Sequence, residues 1–175
     1  MIDEEMENLS PYQEILNHPD PDRALAGMRI MLEQGDATLR RMALEYGLLS
    51  PSPQVRKAAL DGYLRSEPIL AVSFDGSEIK DGSYEGVIEQ YHSGTIDQSR
   101  TGYWKLAISG YDEAEKCYQV GGGSGCGLSI TENGVFITPT AMNGRATFSD
   151  DGQLVGTATM TRIDSPVPFT VKLID

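Results

Sequence analysis

Four leucines stand sixteen residues apart, at Leu16, Leu32, Leu48 and Leu64. A repeat of that length is the spacing of short helices laid side by side, with one rung in each. The repeat extends beyond the leucines. Residues 36–50 shifted by sixteen lie over residues 52–66, so that Leu39 falls on Val55, Arg40 on Arg56, Arg41 on Lys57, Ala43 on Ala59 and Leu44 on Leu60. A shift of thirty-two matches the turns instead, laying His18-Pro19-Asp20-Pro21-Asp22 over Ser50-Pro51-Ser52-Pro53-Gln54. The unit is therefore a pair of short helices. The pattern stops at Glu67-Pro68, because proline bars a helix from continuing.

Four helices are expected. Residues 1–9 read as a solvated tail. Ser10-Pro11-Tyr12-Gln13 is a capping box with proline at the first helical position, opening a helix over residues 11–17. A second helix covers residues 22–34 and ends at Gly35. A third starts from Asp36 and runs to about residue 49, and a fourth starts from Ser52 with Pro53 at its first position. In the third, Leu39, Met42, Ala43 and Tyr46 form one apolar face and Leu44 and Leu48 another. Two apolar faces describe a helix buried on both sides. The i, i+4 pairs Arg41/Glu45 and Lys57/Asp61 project outward.

Pro51-Ser52-Pro53-Gln54-Val55-Arg56-Lys57-Ala58-Ala59-Leu60 resembles the start of a HEAT-type repeat helix. The resemblance covers residues 19–66. It departs from the family pattern at Ser50 and Ser52, where aspartates are usual, and in the second helix, which lacks the Val-Arg pair. It implies protein–protein contact rather than chemistry. The alternative is an irregular four-helix bundle. Two hairpins leave an apolar face open, to be covered by the rest of the chain or by another protein.

From Ile69 the hydrophobic period changes from 3.6 to 2. Nine strands are expected, over residues 69–74, 83–91, 101–109, 115–120, 127–131, 134–138, 144–149, 153–161 and 167–174. Fifteen of the nineteen glycines fall after residue 70, mostly between these strands. Glu132-Asn133-Gly134 and Asp150-Asp151-Gly152 read as hairpins. The whole is an α+β chain: a tail (1–9), a four-helix HEAT-like segment (10–67) and an antiparallel β-barrel or β-sandwich (68–175). Gly86, Gly102, Trp104 and Pro168-Phe169 give the β half a loose resemblance to small lipocalin-like barrels, from which no site is carried over.

The charge balance is -12, with 26 acidic against 14 basic residues. Such a chain is repelled by nucleic acid and by anionic membranes. The first residues are acidic and lead into no apolar core, so the chain reads as cytoplasmic, with Cys117 and Cys126 reduced. A disulfide between them is geometrically permitted.

No residue set forms a catalytic constellation. Gly121-Gly122-Gly123-Ser124-Gly125-Cys126-Gly127 has neither a helix nor a lysine behind it, so it is a strand connection or a mobile binding loop that includes Gly123. Cys126 as a nucleophile needs a base, and His92 has no spacing that links it. Two histidines and two cysteines in separate halves make no metal site, and no cofactor is expected. Tyr103 and Trp104 alternate in a strand, so one ring points in and the other out. The sequence points first to a non-catalytic protein-binding or adaptor protein, engaging a partner protein through Arg40, Arg41, Arg56 and Lys57. The second expectation is a small-molecule-binding barrel using Tyr103, Trp104 and the glycine loop. The third is an enzyme using Cys126.

Overall fold

The computed structural model describes residues 2–123, 125–132 and 134–175, with side chains from residue 8 onward. The chain forms two compact units, Met1–Ser66 with Ile174 and Glu67–Leu173 with Asp175.

The first unit holds four helices: α1 (Ile2–Leu16), α2 (Pro21–Gln34), α3 (Ala37–Leu48) and α4 (Pro53–Leu64). Helix α1 starts at Ile2, so the stretch expected to be a tail is helical and Pro11 lies inside it. The other starts follow the sequence. The Asp20 carboxylate accepts from Asp22 N–H, Asp36 from Leu39 N–H at 2.9 Å, and the Ser52 hydroxyl from Val55 N–H at 3.4 Å. Each contact satisfies a backbone donor that the first helical turn leaves open. Leu16, Leu32, Leu48 and Leu64 are all buried, one rung at the end of each of α1 and α3–α4 and one within the last turn of α2. The deepest positions of α3 are Ala43, Leu44, Gly47 and Leu48, whereas Leu39, Met42 and Tyr46 are half-buried. Arg41 Nε meets Glu45 at 3.1 Å as expected. Asp61 pairs with Arg65 at 3.3 Å, on its C-terminal side, in place of the expected Lys57.

The second unit is a closed eight-stranded antiparallel barrel. Its strands are β1 (Ile69–Asp75), β3 (Thr101–Asp112), β4 (Cys117–Val120), β5 (Cys126–Thr131), β6 (Gly134–Ile137), β7 (Met142–Phe148), β8 (Leu154–Met160) and β9 (Val167–Lys172). From β3 to β9 each strand pairs with the next, β9 pairs with β1, and β1 returns to β3. The barrel reading is thereby chosen over the sandwich. A two-residue strand, β2 (Thr95–Ile96), lies on β3 beside this circuit. Alternate residues are buried, as in β1 and β7, because successive side chains point to opposite faces. Phe74, Leu70, Leu106, Leu128 and Phe169 are almost fully buried, consistent with side chains filling the interior of a barrel of this size.

Two further expectations need correction. Residues 83–91 are not a strand: Tyr84–Gly86 is a short α-helical turn, α5, continued by a π-helical turn over Val87–Tyr91. The apolar residues that decide this are Tyr84, Val87 and Ile88, buried at i, i+3 and i+4, which is helical spacing. Cys117 and Cys126 are not reduced but form a disulfide with a Cα–Cα distance of 5.6 Å. The Asp150-Asp151-Gly152 hairpin is present, with Ser149 N–H donating to Gln153 O and Gly152 at φ 78°. Thr131 pairs with Gly134, while Asn133, expected in that turn, lies outside the described residues.

Among the described residues, no helix is long and apolar enough to cross a membrane.

A Cβ added to Gly47 would sit 2.3 Å from Ala59 Cβ and 2.7 Å from Met28 Sδ. Helices α3 and α4 therefore meet at a point where only hydrogen fits. Gly47→Val overpacks that contact and is expected to lower unfolding stability by about 1–3 kcal/mol, read by urea denaturation.

Candidate functional site

The connection from β1 to β3 builds one end of the barrel. Tyr84 is its anchor. The ring is buried, and its hydroxyl donates to Arg100 O at 2.9 Å, with Phe74 O at 3.3 Å. Burial pushes the Tyr84 hydroxyl up to about 12, because ionisation would leave a charge in an apolar enclosure. Arg100 clasps the same connection. Its Nε donates to Gly76 O at 3.1 Å and its Nη2 to Ile79 O at 2.9 Å, while Nη1 pairs with Glu85. The guanidinium also lies 5.3 Å from the Tyr84 ring centroid. Arg100 adopts φ 64°, a left-handed conformation rare outside glycine, and these three side-chain contacts accompany it.

This clasp delivers His92 to the core. His92 follows the π-helical turn and is only 5% exposed. Its ring centroid lies 4.7 Å from that of Trp104 and 5.8 Å from that of Phe74. Phe74 and Trp104 are themselves stacked at 6.2 Å with an 18° interplanar angle. His92 Nε2 is buried and has no hydrogen-bond partner. Burial lowers the pKa of His92, which favours the neutral ring. A buried polar nitrogen without a partner is uncommon in a folded protein and calls for a ligand, a water or a reason.

Trp104 pairs directly with Val72, so the two side chains share the face that also holds Leu70 and Phe74. Trp104 is nevertheless half-exposed. The cause lies at the edge of β3. Strand β2 reaches only Tyr103, and β4 begins its pairing at Ile108. Among the described residues, no strand flanks that edge at Trp104, Lys105 and Leu106. The glycine loop adjoins the same edge, since Gly121 N–H donates to Ala107 O at 2.9 Å.

The expected site residues thus separate. Trp104 joins His92 at the open edge, and the loop bearing Gly123 starts beside it. Tyr103 points to the opposite face, is 48% exposed, and donates from its hydroxyl to Asp97 at 2.9 Å. Asp97 lies below the usual carboxylate range, chiefly through the Ser99 hydroxyl, and its bond raises the Tyr103 hydroxyl. Cys126 is held in the disulfide, which removes the free thiol that a nucleophile requires. In the helical unit, Arg40, Arg41 and Lys57 are exposed and Arg56 is half-buried. His92 is the functional candidate that the sequence underrated. Its signal was the helical spacing of Tyr84 and Ile88, which continued four residues further falls on His92. Among the described residues, no group of three or more His, Cys, Asp or Glu side chains is arranged to hold a metal ion.

Comparison with known protein families, with curated proteins and with solved structures finds no match for this chain.

Two titrations follow from these environments. The unfolded tyrosine ionises near 10 and the folded one near 12, so the stability given by Tyr84 is complete below pH 10 and is lost as pH rises from 10 to about 12. Tyr84→Phe removes the hydroxyl from Arg100 O, which keeps the Gly76 N–H, and from Phe74 O, and is expected to cost about 1 kcal/mol, measured at pH 7 by denaturant unfolding. For His92 the sign is reversed. The unfolded ring takes up its proton at 6.5 and the folded ring at a lower pH, so stability is complete above 6.5 and falls as pH drops below it. His92→Phe is expected to flatten that acid limb in unfolding curves taken between pH 7.5 and 5.

Proposed function

We propose that the β unit binds a small, largely apolar molecule carrying one hydrogen-bonding group, at the open edge of β3. The observation that carries this reading is the unpartnered His92 Nε2, buried against Trp104 and Phe74. Small-molecule sites combine an apolar lining with a few polar atoms that fix orientation, and this cluster has both elements. The half-exposed Trp104 ring supplies a flat face, and the neutral imidazole supplies one donor or acceptor according to tautomer. The loose lipocalin-like resemblance of the sequence is in keeping with this use, as is a closed barrel. Catalysis is not part of the proposal.

A second reading has its own support. Arg41 on α3 and Lys57 on α4 are exposed at equivalent repeat positions, with Arg40 exposed beside Arg41, and the sequence of α4 there is HEAT-like. An acidic partner protein meeting this basic strip is the adaptor reading. Cytosolic residence belongs to both readings, and it requires the Cys117–Cys126 disulfide to be a regulated bond rather than a permanent one.

Trp104 is the only tryptophan, so its emission reports directly on the proposed site. Titration with an anilinonaphthalene sulfonate probe is expected to quench it by energy transfer with saturation. His92→Phe keeps the ring and removes Nε2, and is expected to weaken binding roughly tenfold, the equivalent of about 1.4 kcal/mol. Charge reversal at Arg41 and Lys57 leaves that titration unchanged. Absence of saturable quenching in the native chain, with capture of a partner that charge reversal abolishes, turns the assignment to the adaptor reading.

A further inference from the structure

Strand β3 carries one peptide group that its neighbours leave open. Along an antiparallel strand, the N–H and C=O of one residue point to one side and those of the next residue to the other. Ile108 N–H donates to Pro68 O, toward β1, so the even-numbered residues of this half of β3 face β1. The odd-numbered ones face away from it. Thr101 O accepts from Asp97 N–H, and Ala107 O from Gly121 N–H. Tyr103 lies opposite Thr95 of β2. Lys105 remains, with its N–H and C=O both directed at the unflanked edge. The register of β2 carried on would bring Ser93 opposite Lys105. Ser93 instead turns at φ 51°, and Gly94 N–H goes to Ile88 O. Among the described residues, no backbone hydrogen bond reaches Lys105 from that side.

The length of the open edge is set by its two ends. Tyr103 is covered by β2 and Ala107 by the residue after β4, and the four residue steps between them make about 13 Å of strand. That length takes about three extended residues. Trp104 and Leu106, on either side of Lys105, turn their side chains to the inner face, and the His92 ring lies against Trp104 with Nε2 unpartnered. A donor and an acceptor at the edge thus adjoin an apolar face that holds one further polar atom.

We propose that the ligand of this site is a short extended peptide, added to β3 at Lys105 as a three-residue antiparallel strand. The proposal rests on the reading of the Trp104–His92 cluster as a ligand site and names the class of ligand. A guest residue opposite Lys105 accepts from its N–H and donates to its C=O, the paired bonds of an antiparallel bridge. Another extended residue presents the matching acceptor and donor at the same separation, which a single hydroxyl or an aliphatic chain does not. The side chain of that residue points outward. Its two neighbours point inward, one over Leu106 and the other over Trp104, where a hydroxyl meets His92 Nε2. Main-chain bonds set the register, and the inward pair selects apolar or hydroxyl-bearing residues.

The test uses the full chain and the blocked peptide N-acetyl-Val-Ala-Thr-amide, with its threonine opposite Trp104. The control is the same peptide methylated on the alanine nitrogen, which keeps the side chains and removes the donor to Lys105 O. In the free chain, the Lys105 amide is expected to exchange about tenfold or more faster than those of Trp104 and Leu106, which β1 holds. The peptide is expected to change Trp104 emission with saturation and to slow exchange at Lys105 by about tenfold. The methylated peptide is expected to bind about tenfold or more weakly. A Lys105 amide already protected in the free chain overturns the proposal, and so does a methylated peptide that binds as well as the parent. Anilinonaphthalene sulfonate and His92→Phe separate the two claims. Saturable quenching by the sulfonate, with no response to the peptide, removes the peptide and leaves the ligand reading. Methylation-sensitive binding that His92→Phe does not weaken removes His92 from the site and leaves the strand pairing. No binding of either probe overturns both.

Discussion

The pairing of β1 with β3 is the constraint on which the β unit depends. Seven residue pairs, from Ile69 with Ala107 to Asp75 with Thr101, join the first strand to one that lies far along the chain and close the barrel. Closure pairs the first strand of the barrel with β3 and, among the described residues, leaves the short stretch of β3 at Trp104, Lys105 and Leu106 without a strand on its other side. It also has a consequence for the residues between the two strands. They must leave β1, cross one end of the barrel and return to β3 within a fixed span. Tyr84 and Arg100 hold that crossing by hydrogen bonds to backbone carbonyls at its two ends, and His92 is carried into the core as part of it. The cluster of His92, Trp104 and Phe74 is thus a product of closure.

Most of the architecture could be read from the sequence, and the reasons are local. Asp36 and Ser52 cap helices because their side chains reach backbone donors three residues on, a contact that needs no tertiary partner. The leucine ladder was legible because a rung must be buried wherever helices stack, and all four are. Strand alternation survived for the same reason. The errors arose where distant contacts decide. Residues 83–91 contain both a two-residue and a helical period, and the buried hydroxyl of Tyr84 selects the helical one. The disulfide was permitted by spacing but set aside on compartment, which is not a property of the fold. Lys57 and Arg65 lie at equal spacing from Asp61, and the pair that forms is the one with the acid N-terminal to the base, the better orientation on a helix.

The candidate site was half legible. Trp104 stood out as an aromatic in an alternating strand, and the glycine loop as an unusual connection. That the two share one strand edge follows from the register of β3 with β4, which no local pattern reveals. His92 was visible only as a lone histidine. Its significance comes from burial without a partner, a property of the folded state alone. Tyr103 and Cys126, singled out together with Trp104, are taken up by other contacts: one by Asp97 on the outer face, the other by Cys117.

The central claim is that the β unit presents His92 Nε2 to a ligand beside Trp104. Nitrogen NMR of the histidine rings, recorded with and without the anilinonaphthalene sulfonate probe, tests it most directly. The account predicts that the His92 Nε2 and Trp104 indole resonances move together and saturate together, while the amides of α3 and α4 stay in place. Resonance changes confined to the helical unit, with His92 Nε2 unmoved, would contradict it.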